Sequence, residues 1–189
     1  MYKKIIFAVT LSAITIGVSA QKLSGDISPL KGQKEVNVVI DFSGTLVNGQ
    51  PEESHIAFFS RDKNEEDKAK WLKEWNEVLR NDAYASLIKH LSEGTSNKGF
   101  TVGDFPNAEF TIKVKVINIS PGAHLMKNSD VKSSVSFVKT GENTPFATVE
   151  YKKVMGKYSS YVANQVSRTV MAFGYLGSEI GKTISKNLK

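Results

Sequence analysis

The spacing of apolar residues changes period three times along this chain, and that order of periods leaves few architectures open. Val36, Val38, Ile40 and Phe42 alternate with Asn37, Val39 and Asp41, a period of two that suits a strand with one face on a core. Asn64 followed by Glu65, Glu66 and Asp67 then reads as a helix start, because a short polar side chain caps free N–H groups and acids suit the positive end of the dipole. Trp71, Leu72, Trp75, Val78 and Leu79 recur at three-to-four spacing and continue through Leu87, Ile88 and Leu91 until Gly94, as one helix or as two divided at Asn81-Asp82. The period returns to two at Phe110, Ile112, Val114 and Val116, again at Val131, Val135 and Phe137, and a last time from Phe146 to Tyr151. A final helical stripe joins Val162, Val166, Val170, Phe173, Leu176, Ile180, Ile184 and Leu188. Gly174, Gly177 and Gly181 lie on or beside it, each costing up to about 1 kcal/mol of helix propensity relative to alanine. That cost implies close backbone packing against the sheet or another helix. Strands separated only by turns favour antiparallel neighbours. The expectation is therefore an α+β fold: an antiparallel sheet of four to five strands, ordered strand, helix, strand meander, helix, with two helices packed on one face.

Residues 1–20 read as an export signal. Lys3 and Lys4 precede the apolar residues 5–18, and Val18-Ser19-Ala20 supplies the small residues of a cleavage site, so cleavage is expected after Ala20. The apolar run is shorter than the ~20 residues that span a bilayer, which places the mature protein in the periplasm or outside the cell. The chain has no cysteine, so no lipid-anchor cysteine, thiol catalysis or Cys-ligated zinc is available. Residues 21–34 are polar, contain Gly25, Pro29 and Gly32, and read as a flexible lead-in. Residues 35–189 then form one domain, long enough to bury a core without disulfides. Loss of Lys3 and Lys4 lowers 25 basic residues to 23 against 19 acids, a modest surplus spread along the chain. No dense basic block of the kind that grips phosphate backbones is present, so nucleic acid is excluded as a partner.

Residues 38–46 resemble the first motif of haloacid-dehalogenase-type phosphatases, in which a strand-end aspartate attacks phosphorus and an acid two residues later handles the proton. Asp41 holds the first place, but Ser43 stands where the acid belongs. Asp104 and Glu109 are the nearest counterparts of the later magnesium acids, yet one helical region separates the two sites, too little for a doubly wound sheet. The simpler reading makes Asp41 a strand-end cap for the following turn. His55, His90 and His124 lack the paired spacing of zinc sites. Asp62, Asn64 and Glu66 imitate a calcium loop, but Asp67 stands where glycine is needed and Lys73 where the closing glutamate belongs. Asn118-Ile119-Ser120 matches a glycosylation sequon that predicts nothing in a bacterial envelope. No catalytic residue, metal site or cofactor is assigned. The remaining candidate is residues 44–63, read as a long loop holding His55, Ile56, Phe58, Phe59 and Arg61, whose aromatics and arginine, if exposed, are of the types that dominate binding hot spots; the alternative is a loop folded back over a sheet edge or the open sheet face.

The order of the strand at 36–43, the Trp-rich helix at 71–75, Phe105-Pro106-Asn107-Ala108, Ser120-Pro121-Gly122 and the Gly-Ser-Glu-Ile-Gly-Lys run at 177–182 resembles an uncharacterised family of exported proteins from Bacteroidetes bacteria. The resemblance implies location and α+β architecture and transfers no site. The order of elements is also similar to small α+β accessory modules of Gram-negative envelope assemblies, an analogy of fold alone. The expected function is a non-catalytic envelope module binding a protein partner, with His55, Phe58, Phe59 and Arg61 at the contact. The alternatives are a periplasmic small-ligand or glycan binder using the same residues and, third, a metal-assisted phosphatase centred on Asp41. Oligomeric state stays open.

Overall fold

The computed structural model describes residues 22–122, 128–156 and 165–188. Residues 1–20, read above as an export signal, lie outside them, as do His124 and Val162. Among the described residues, eight strands form one mixed sheet, six of them in the order β1 (Ser24–Gly25), β8 (Pro145–Gly156), β7 (Ser129–Lys139), β6 (Phe110–Ser120), β2 (Glu35–Asp41) and β5 (Thr101–Gly103). The short strands β3 (Leu46–Val47) and β4 (Gln50–Pro51) make a hairpin attached to β6 through β3. The meander β6–β7–β8 is antiparallel, as turn-linked strands must be. The sheet is nonetheless larger than expected and not purely antiparallel. β2 runs parallel to both β5 and β6. The cause is the helical passage between β2 and β5, which returns the chain to the end where β2 began. A register shift between Val116 and Asn118 lets β6 serve β2 along its first half and β3 along its second.

One sheet face is apolar and covered. Val36, Val38, Ile112, Val114, Val131, Val135, Phe137, Val149 and Tyr151 are buried against Ala83, Leu87 and Leu91 of α3 (Leu79–Thr95) and Phe173, Leu176, Ile180 and Ile184 of α4 (Gln165–Asn187). Lys113 and Lys115 alternate with these residues and point to the other face. Buried hydroxyls fix α4 to the sheet: the Tyr151 and Thr183 oxygens lie 3.0 Å apart, those of Ser129 and Thr169 3.1 Å. The expectation of a flexible lead-in needs correction over residues 22–34. Ser24 and Gly25 pair with β8, and a 3₁₀ turn at Ser28–Leu30 puts Ile27 and Leu30 into the core at 1% exposure each. Those two apolar residues outweigh the polar composition around them, because each fully buried aliphatic side chain contributes about 1.5–3 kcal/mol.

Residues 44–63 are not a loop either. After the β3–β4 hairpin they form helix α1 (Glu52–Ser60). Pro51 precedes its first turn and Glu52 and Glu53 occupy it, the composition that suits a helix N-terminus. Asn64 caps α2 (Glu65–Lys73) as read, its side-chain oxygen accepting from the Asp67 N–H at 2.9 Å. No break occurs at Asn81-Asp82. A π-helical turn at Glu74–Val78 instead joins α2 to α3.

Candidate functional site

Four rings converge where α1 meets α2 and the π turn. His55 and Phe59 lie one turn apart on α1, as do Trp71 and Trp75 on the facing rod, so both pairs project from single helix faces. The His55 ring sits 4.5 Å from Phe59, 4.6 Å from Trp75 and 6.1 Å from Trp71. Phe59, Trp71 and Trp75 form a near-parallel stack, with interplanar angles of 11° and 13°. Trp75 is fully buried and anchors a cluster with Val47, Leu79 and Val166, separate from the sheet core.

An ion pair closes one side of this cluster. The Glu52 carboxylate accepts from Trp75 Nε1 at 2.7 Å and takes two bonds from the Arg80 guanidinium at 3.0 Å each. Arg80 also donates to the carbonyls of Trp75 and Asn76 inside the π turn, and lies 5.2 Å over the Phe42 ring. One arginine thus satisfies backbone carbonyls within the widened turn and holds α1 to it through Glu52.

The sequence candidates divide between interior and surface. His55 is 7% exposed, and its Nε2 has no hydrogen-bond partner among the described residues. Burial pushes its pKa below the ordinary 6.5, against the opposing pull of Glu52. Phe59 is half-buried as part of the stack. Phe58 is 56% exposed, packs edge-on against Phe59 and carries the Arg61 guanidinium 4.4 Å above its ring. Arg61 is itself exposed and pairs with Asp62 at 2.9 Å. Sequence reasoning missed Glu52, Trp75 and Arg80 as partners of these residues. The signals were Pro51-Glu52-Glu53 as a helix start and the matched four-residue spacings His55 to Phe59 and Trp71 to Trp75.

The downward shift at His55 fixes the sign of an acid effect. Below pH 6.5 the unfolded chain binds a proton that the folded chain refuses, so the stability present above that pH is lost as pH falls towards the lowered folded-state pKa. The expected slope reaches up to about 1.4 kcal/mol per pH unit. Urea melts from pH 7 to pH 5 should show this loss in the wild type and a shallower one in His55→Phe. Parallel losses would mean that protonated His55 finds an acceptor in place.

Asp41 occupies the end of β2 and does what a turn cap does. It accepts from the Ser43 N–H at 2.7 Å and from Lys115 Nζ at 2.8 Å, and Lys115 also bonds the Ser43 hydroxyl and carbonyl. Lys115, then Ser43, hold its pKa down at about 2. Glu109 accepts from Gln33 at 3.3 Å. Among the described residues, no three His, Asp or Glu side chains cluster as metal ligands would.

A groove runs along the other flank of the π turn. Its volume is about 420 Å³, and its walls are Glu74, Val78 and Asp82 on one side and Val166, Ser167, Val170 and Met171 of α4 on the other. Val166 and Val170 also pack on the Trp75 cluster, so groove and ring cluster share a wall. Among the described residues, no helix is long and apolar enough to cross a membrane.

No family model matches the chain, and no curated protein matches it. Among solved structures it is similar to a PelC dodecamer from Paraburkholderia phytofirmans, with 10% identity and a TM-score of 0.45 over 84% of this chain and 96% of that one. A point variant of the same dodecamer matches with 8% identity and a TM-score of 0.46 over 89% of this chain and 97% of that one.

Proposed function

We propose that this chain is an exported, non-catalytic module of the cell envelope that binds a protein partner through α1. The observation that carries the reading is Phe58, an aromatic ring left 56% exposed with an arginine stacked on it. A ring with few torsions, braced from behind by Phe59, Trp71 and Trp75, loses little entropy when a partner covers it. Aromatic and arginine side chains in such settings dominate binding energy. The export signal at residues 1–20 supports an envelope location. A small-ligand site would call for a cavity beside Phe58 and Phe59, whereas the groove described above has other walls. Asp41 is tied into its turn by Ser43 and Lys115, which favours the structural role over the phosphatase reading.

Crosslinking capture from the native envelope tests the proposal. Wild-type chain should retain a protein that Phe58→Ala retains at least tenfold less, as a hot spot of about 2 kcal/mol requires. The folded stability of Phe58→Ala should stay within about 0.5 kcal/mol of wild type, because the residue is exposed. Equal capture by both chains, or none by either, would refute the reading.

A further inference from the structure

We propose that the partner of the α1 surface is a second copy of this chain, whose Phe58 and Arg61 enter the groove between the π turn and α4. The inference rests on the reading of α1 as a protein-binding surface and names what it binds. The two surfaces match in chemistry. The groove is lined by the apolar Val78, Val166, Val170 and Met171, and among the described residues its charged lining side chains, Glu74 and Asp82, are acids. The α1 surface offers an exposed phenyl ring and, 4.4 Å above it, a guanidinium. Acid walls stand out on a chain whose basic residues outnumber its acids, 25 to 19.

Size agrees as well. A cavity of about 150 Å³ already holds benzene, so 420 Å³ accommodates the Phe58 ring and the stem of Arg61. Arg61 can change partners cheaply, because Asp62 is 84% exposed and a surface pair of that kind contributes little. Val78, in the groove wall, is itself 37% exposed and gains by being covered.

The placement favours reciprocal exchange. Phe58 rests on the stack that ends at Trp75, and Glu74 and Val78 belong to the same helical turn as Trp75. Donor and acceptor surfaces are therefore fixed to one rod and move together. A two-fold pairing makes the contact twice. Two contacts are needed, since one ring and one guanidinium fall short of the roughly 1,000 Å² of a specific interface.

Sedimentation equilibrium on the purified mature chain, residues 21–189, tests this. The wild type should form a reversible dimer at tens of micromolar, a concentration typical of weak interfaces. Phe58→Ser, Arg61→Glu, and Glu74→Lys with Asp82→Lys should each weaken the dimer at least tenfold. Combining Arg61→Glu with both groove reversals should recover at least tenfold, because every ion pair is then rebuilt with opposite signs. A monomer at all concentrations up to about 1 mM, a dimer indifferent to the reversals, or a combination no tighter than its parents would overturn the proposal. Capture from the envelope separates this failure from that of the broader reading. Phe58-dependent retention of a different protein by a monomeric chain would remove self-pairing and leave the α1 surface standing, and loss of both would remove the two together.

Discussion

Replacing Gly177 with alanine should lower stability by about 2–3 kcal/mol, although alanine is the better helix former by about 1 kcal/mol. A Cβ at Gly177 would lie 2.3 Å from the carbonyl oxygen of Leu87 and 3.1 Å from the amide nitrogen of Leu91, both backbone atoms of α3. Backbone cannot rotate aside as a side chain can. The helices would have to separate, and that opens gaps around Leu87, Leu91, Phe173 and Leu176, all fully or almost fully buried. The same close approach recurs where Gly94 and Gly181 face each other, each barring a Cβ on the other at 2.9 Å. Thermal melts should show a loss of roughly 5–10 °C for Gly177→Ala, from about 2–4 °C per kcal/mol at this chain length. Gly174→Ala supplies the contrast: its Cβ would meet the Ser86 hydroxyl and the His90 ring, side chains that can yield. If Gly177→Ala melts with the wild type, α3 and α4 are not in backbone contact there.

That contact was legible in the sequence, because three glycines on a helical stripe make sense only where another backbone comes close. The apolar alternation of β2, β6, β7 and β8 was legible for a similar reason. Each covered strand must show its core face to one side, and Ile112 and Val114 beside Lys113 and Lys115 do so. The parallel neighbours of β2 were not, since hydrophobic period says which face is buried and nothing about strand direction. Direction is set by the helical passage after β2, and α1, the first part of that passage, carries no stripe that marks it as helix. Its aromatic residues His55, Phe58 and Phe59 sit on two different faces. The candidate residues themselves were found by type. Their division into a buried His55 with a half-buried Phe59, and an exposed pair, Phe58 and Arg61, depended on Trp71 and Trp75 arriving from another part of the chain.

The dependence of the exposed pair on the buried rings can be measured by removing Trp75. Trp75→Ala should cost about 3–5 kcal/mol, the usual range for truncating a large buried aromatic. The loss should be local in its first effect. Trp75 belongs to the cluster of Val47, Leu79 and Val166, whereas the sheet, the later turns of α3 and most of α4 are held by the separate main core. Without the indole, Glu52 loses its Nε1–H donor and keeps Arg80, and His55 loses one of the rings packed around it. Amide exchange should then accelerate over α1 and α2 while the β6–β7 ladder keeps most of its protection. Trp75→Phe, which keeps a ring but no N–H, should fall between wild type and alanine. The proposed binding through Phe58 should fail in Trp75→Ala although Trp75 has no exposed surface with which to touch a partner. On the proposed reading, Phe58 and Arg61 bind only while α1 is held in one orientation, and Trp75 is the side chain on which α1 and the π turn both pack. Exchange that rises equally in every element would contradict this division, and would mean that the two clusters unfold as one.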